Sequence, residues 1–202
     1  MDSKEDEYAR LLETWPGLVS GPAAPLVEDC LALLDHLGDA RSVVDVGSGG
    51  GMPGIPLKIA RPDLRVVLVE ADQRKAAFLV HAAARLGLDV EVVAERAETA
   101  GRGALRDAFD AAVCRALAPM PVLAELCLPF VRAGGRLLAM KAQVEDAAEA
   151  IELLGGGPAA VVPAPSAARE RGVVVVVPKL RPTPDAYPRR PGLPARRPLG
   201  GA

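Results

Sequence analysis

At 202 residues, half of them hydrophobic, the chain suits one globular domain whose core is filled mainly by Leu, Val and Ala, since aromatics make up only 3%. The acidic, polar start, the lack of an uncharged apolar run long enough to span a bilayer, three scattered cysteines (Cys30, Cys114, Cys127) and only two histidines (His36, His81) argue against a secretory signal, a membrane span and a metal site. They point to a soluble cytoplasmic protein with reduced thiols. The net charge of −2 conceals an asymmetry, because residues 169–202 hold eight Arg/Lys against two acids, leaving −8 on the rest. A basic tail on an acidic body is suited to contact phosphates.

In chain order, residues 4–14 and 24–37 have helical spacing, with Leu26, Cys30, Leu33, Leu34 and Leu37 on one apolar face and Gly38 as the stop. A strand over 42–46 runs into a glycine loop and a helix to about Ala60. Arg61-Pro62-Asp63 is a turn before a strand over 65–70. A helix from Gln73 to Leu86 is closed by Gly87, and a strand over 90–94 follows. The spacing predicts a short helix near 103–107, a strand over 110–114, and a helix over 121–132. Gly134-Gly135 then turns into a strand over 136–140. An amphipathic helix over 143–154 precedes two last strands, 159–163 and 173–178, read as a hairpin pair at the sheet edge. Strands alternating with helices of this length predict an α/β fold: a mostly parallel seven-stranded sheet with helices on both faces. The expected organisation is a single domain with a short helical part (1–40), a core (41–180) and a basic Pro/Arg-rich tail (181–202), irregular unless it docks.

The most informative stretch is Val43-Val-Asp-Val-Gly-Ser-Gly-Gly-Gly-Met-Pro-Gly54. An apolar strand ends in Asp45, a glycine turn follows, and a helix begins. Glycines allow a tight turn and close approach of a ligand to bare backbone, and the free N–H groups at a helix start favour polar or anionic groups. Glu70 ends the next apolar strand, where an acid can accept hydrogen bonds from both hydroxyls of a ribose. Together these features predict a site for an adenosine-containing cofactor. A dinucleotide fingerprint would need glycine at 47, 49 and 52, but position 52 is Met and the glycines fall at 47, 49 and 51. That spacing, preceded by Asp45, resembles motif I of the Rossmann-like class I S-adenosylmethionine (SAM) methyltransferases. The resemblance implies SAM as cofactor, with Asp45 helping to place its ammonium directly or through water.

Ligands of such sheets bind beyond the carboxyl ends of the strands. Gly47–Met52, Glu70–Asp72, Arg96–Glu98, Arg115-Ala116 and Lys141 all map there. The tip of the fourth strand reads Cys114-Arg115-Ala116-Leu117, not the [D/N/S]-P-P-[F/Y/W] of enzymes that methylate exocyclic amines of bases. Cys114 lacks the Pro-Cys setting of a pyrimidine-C5 nucleophile and reads as a packing residue. An acceptor with a free lone pair, such as guanine N7, needs neither device, and catalysis can rest on positioning and electrostatics.

Asp45-Val-Gly-Ser-Gly-Gly-Gly-Met-Pro-Gly-Ile-Pro-Leu57 resembles the D-V-G-S-G-x-G-F-P-G-I-P-L signature of the RsmG (GidB) family, bacterial methyltransferases of guanine N7 in 16S ribosomal RNA. The likeness continues through Arg74-Lys75 with Phe78-Leu79, Arg96-Ala97-Glu98, Phe109-Asp110, Arg115-Ala116, Gly134-Gly135 with Met140-Lys141, and the tail Tyr187-Pro-Arg-Arg-Pro-Gly-Leu-Pro194 with Arg197-Pro-Leu199. The resemblance implies that Gly47, Gly49, Gly51 and Met52 border SAM, that Glu70 holds its ribose, and that Ala97 and Glu98 flank its adenine. Arg115 would line both cofactor and guanine pockets, and with Lys141 would position the substrate. Lys141, Arg189, Arg190 and Arg197 would face RNA. The implied partner is 16S rRNA in the small ribosomal subunit, with the protein a monomer needing no metal. The chain departs from the family at Met52, where Phe is usual, and at Ala142, where Gly is usual. It also lacks the Asn-Leu-Thr and His-x-x-Asp-Ser stretches before the first strand. Two other readings stay open: a SAM enzyme of a small molecule, and a non-catalytic SAM- or RNA-binding member.

Overall fold

A computed structural model describes residues 3–200. Seven strands form one sheet: β1 (Ser42–Val46), β2 (Arg65–Val69), β3 (Val90–Val93), β4 (Phe109–Arg115), β5 (Val131–Lys141), β6 (Ala160–Pro163) and β7 (Val173–Pro178). Their order is β3-β2-β1-β4-β5-β7-β6. Strands β1 to β5 pair in parallel, β7 runs antiparallel to β5, and β6 antiparallel to β7. The sheet of mixed sense, and the edge pair β6–β7, are those predicted.

Alternation along the strands divides the core in two. Val43, Val66, Leu68, Val113 and Leu138 point to one face, under α1 (Lys4–Thr14), α2 (Ala24–Cys30), α3 (Leu34–Leu37), α4 (Gly54–Ala60) and α5 (Gln73–Leu86). Val44, Val46, Val67, Val69 and Ala112 point to the other, under α6 (Ala97–Ala100), α7 (Met120–Cys127) and α8 (Ala148–Leu153), with Tyr187 and Leu199 of the tail packed on it. Helix α5 has the cleanest local specification. Asp72 caps its first turn by accepting from the N–H groups of Arg74 and Lys75, and Gly87 ends it in the left-handed conformation.

Four predicted elements differ. The helix over 24–37 is interrupted by a 3₁₀ turn at Leu31–Leu33. The helix near 103–107 is instead a run of turns, the helical turn having formed earlier at α6. The helix over 121–132 ends at Cys127, because Pro129 has no N–H to continue it; a 3₁₀ turn covers Leu128–Phe130, and β5 begins at once. The four residues 132–135 bulge out of the β4–β5 ladder, whose register passes from Phe109↔Val131 to Ala111↔Arg136. A Cβ on Gly135 would collide with the Asp110 carbonyl, so the bulge needs glycine there. Finally, the 143–154 helix starts only at Ala148. Glu145 is drawn aside to pair with Lys141 and accept from the Met120 N–H.

The tail from 181 to 200 is irregular apart from α9 (Leu193–Arg196), and it docks. Arg102 donates to the carbonyls of Pro188 and Ala186, and Arg106 to those of Tyr187 and Thr183. No helix among the described residues is long and apolar enough to cross a membrane.

Candidate functional site

The carboxyl ends of β1, β2 and β4 open onto a cleft of about 390 Å³, the size of a small-molecule site. The glycine loop forms its floor. Gly47 and Gly49 have φ of +69° and +57°, a conformation that glycine adopts without strain. A Cβ on Gly49 would meet nothing closer than 4.0 Å, so the missing side chain leaves a cradle open to the cleft. The loop is braced from below. The Tyr8 hydroxyl donates to the Gly50 carbonyl at 2.6 Å, and Leu12 fills the space where a Cβ on Gly50 would go. Helix α1 therefore sets the height of the loop, a role its helical spacing alone did not suggest.

Glu70 sits on the cleft wall at the end of β2, 8% exposed. One carboxylate oxygen accepts from the Gly49 N–H and the other from the Asp72 N–H, each at 2.8 Å. Each oxygen keeps a second lone pair, so the carboxylate is locked in place yet able to accept two further bonds. Across the cleft, Glu98 is 2% exposed. Its Oε1 accepts from Arg96 (3.0 Å) and from the backbone N–H of Gly192 (2.8 Å), while its Oε2 is buried without a hydrogen-bond partner. Burial opposes the charge, but the Arg96 guanidinium and the Gly192 N–H outweigh it and hold the carboxyl below its usual range. A buried acceptor in a cleft wall, with its lone pairs unused, is suited to a donor such as an exocyclic amine. Met52, Ala97, Arg115 and the rim residues Lys75 and Arg96 complete the walls. The cradle, the locked carboxylate and the orphaned oxygen fit an adenosine-containing cofactor.

Three predicted site residues lie elsewhere. Asp45 is fully buried and does not border the cleft; it accepts from the Gly54 N–H at 2.8 Å and so anchors the start of α4. Burial, reinforced by the Glu70 charge and opposed by the Gly54 N–H, raises its pKa to about 7. It therefore supports the loop through Oδ2, while its Oδ1 is buried without a hydrogen-bond partner. Gly51 also faces away, against Ile55 and Leu79, and Gly50 borders the cleft in its place. Arg189 does not face outward. Its guanidinium grips the wholly buried Glu125 (2.6 and 2.9 Å) and the Arg197 carbonyl, which makes it the anchor of the tail. Arg190, Arg196 and Arg197 are exposed.

A second, smaller cleft of about 320 Å³ adjoins the first and shares Arg115 and Ala116 with it. Lys141 lines this second cleft, donating to the Ala118 carbonyl and pairing with Glu145 at 3.0 Å. Ala116, at the junction, has φ of +50°, a strained conformation for a residue with a Cβ.

A family model described as rRNA small subunit methyltransferase G matches residues 24–154. The chain belongs to this family. A ribosomal RNA small subunit methyltransferase G from Moorella thermoacetica is 48% identical over 168 residues, 79% of this chain and 70% of the relative. One from Roseiflexus sp. is 49% identical over 208 residues, 95% of this chain and 89% of the relative. The same fold occurs in solved structures at low identity. Precorrin-6y C5,15-methyltransferase from Geobacter metallireducens has a TM-score of 0.57 at 18% identity over 86% of this chain and 94% of its own. A variant of MtNAS in complex with S-adenosylmethionine has a TM-score of 0.61 at 24% identity over 88% and 72%.

The structure adds one residue that the sequence motifs do not mark. Asp29 is an acid on the buried side of α2, 2% exposed, and its carboxylate holds Arg169 at 2.7 Å beneath the second cleft. An acid beside Cys30, inside an otherwise apolar helical face, was the available signal.

Proposed function

We propose that this protein transfers a methyl group from SAM to N7 of one guanine of 16S rRNA in the small ribosomal subunit. Membership of the rRNA small subunit methyltransferase G family carries the reading, and the cleft geometry supports it. Bound SAM would supply an electrophilic methyl on a sulfonium. The chain's own residues bind and orient. Glu70 would accept the ribose hydroxyls, the Glu98 Oε2 the adenine amine, and the Gly47–Gly50 backbone would lie against the methionine end. Arg115 stands between the two clefts, where cofactor and base would meet, with Met52 beside it in the wall of the first. Guanine N7 has a free lone pair and no proton, so no side chain need act as a base; alignment and exclusion of water are the tasks left to the protein. Lys141 would stand beside the incoming nucleotide, and the exposed Arg190 and Arg197 would meet RNA phosphates.

The test is transfer from labelled SAM to 30S subunits lacking native guanine-N7 methylation, with the product mapped by borohydride–aniline cleavage. One cleavage in 16S RNA is expected. Absence of transfer by a preparation that still binds SAM would overturn the reading.

A further inference from the structure

Outside the cofactor cleft, the buried carboxylate of Asp29 faces two guanidiniums, those of Arg115 and Arg169. Its Oδ1 accepts from the Ser166 hydroxyl at 2.5 Å and from Arg169 at 3.1 Å; its Oδ2 accepts from the Arg169 Nε at 2.7 Å. The same Oδ2 lies 3.6 Å from the Arg115 Nε, which is buried and has no hydrogen-bond partner. One carboxylate thus faces two guanidiniums, and it holds them differently. Arg169 is fixed by the fork and by bonds to the carbonyls of Lys141 (2.7 Å) and Val173 (3.1 Å). Arg115 is held by charge alone on this side, and its terminal nitrogen reaches only the Met52 sulfur at 3.8 Å. A guanidinium attracted to a fixed anion without a closed hydrogen bond keeps its fork available for a ligand. Arg115 forms the wall common to both clefts, whereas Asp29 borders neither.

We propose that Asp29 is the positioning residue for Arg115: its buried carboxylate sets the guanidinium at the junction of the two clefts, where it meets the target guanine. This rests on the function proposed above. Removing the negative charge would leave two adjacent guanidiniums uncompensated, and Arg115, the less tethered, would move.

The test is a double-mutant cycle of Asp29→Asn and Arg115→Lys, read as single-turnover transfer to unmethylated 30S subunits, with SAM affinity by calorimetry and thermal melting alongside. The wild type must transfer; its failure overturns the function reading and the positioning role with it. With an active wild type, Asp29→Asn is expected to slow transfer by roughly ten- to a hundredfold while SAM affinity changes less than about threefold, and to slow it by less than about twofold once Arg115 is Lys. Losses that multiply, or a SAM affinity that falls in parallel with transfer, would overturn the positioning role while leaving the function reading intact. Should Asp29→Asn fail to melt cooperatively, Asp29→Glu keeps the charge, displaces it by one methylene, and carries the same two outcomes.

Discussion

Two carboxylates, Asp45 just before the glycine loop and Glu70 at the end of the neighbouring strand, divide the work of holding it, and burial decides which does what. Glu70 reaches the cleft with both oxygens fixed by backbone N–H groups. Replacing it by Ala is expected to weaken SAM binding by about tenfold or more, since a charged acceptor of two hydroxyl bonds is lost; unchanged affinity in calorimetry would refute the ribose role. Asp45 has no exposure, and its folded pKa is raised from 3.8 to about 7. The folded state therefore binds a proton that the unfolded state releases, and this group's contribution to stability is present at low pH and lost as pH rises towards 7. The loss is about 1.4 kcal/mol per pH unit within that window. Urea unfolding at pH 5 and pH 8 is expected to show the wild type losing stability relative to Asp45→Asn as pH rises. A constant difference between the two would count against a proton held at Asp45. That Asp45 follows an apolar strand and precedes glycines was legible in the sequence. That it turns inward was not, because side-chain direction at a strand end depends on where Gly54 presents its N–H.

Elements were legible where local chemistry and tertiary packing agree. Strands β1, β2 and β7 are near-continuous Val/Leu runs, as strands buried on both faces must be, and α5 carries its own cap and stop. In two of the misread elements one residue overrides periodicity: Pro129 ends α7 early, and Glu145 bonds to the Met120 N–H instead of entering a helical turn. The tail is the clearest case. Its arginines look alike in sequence, yet they divide into an anchor and a free set according to whether a buried acid waits for them. Arg189 meets Glu125, whose side chain has no exposure. Replacing Arg189 by Met would leave that carboxylate buried and unpaired, at a cost of about 3–5 kcal/mol. Arg190→Met, at an exposed position, is expected to stay within about 0.5 kcal/mol of the wild type. Melting curves in which the two variants fell equally would argue against the anchor.

At the scale of the molecule, the tail joins the cofactor cleft to the basic surface. Gly192 donates to Glu98 in the cleft wall, and the exposed Arg190, Arg196 and Arg197 lie within five residues of that bond. The charge asymmetry read from the sequence therefore falls on the segment that bonds to the cleft wall through Gly192, and under the function proposed above this exposed positive charge would draw a phosphate backbone towards the protein. Each phosphate so neutralised releases counterions, which makes affinity fall with salt at a slope of about 0.7–0.9 per contact. Replacing Arg190, Arg196 and Arg197 together by Gln is expected to make the plot of log affinity for 16S RNA against log salt shallower by about 2 to 3, while SAM binding holds, because these side chains lie outside the cleft. A triple variant with the wild-type slope would place the RNA contacts elsewhere. One with a reduced slope and weakened SAM binding would mean instead that the tail had left its seat on Glu98.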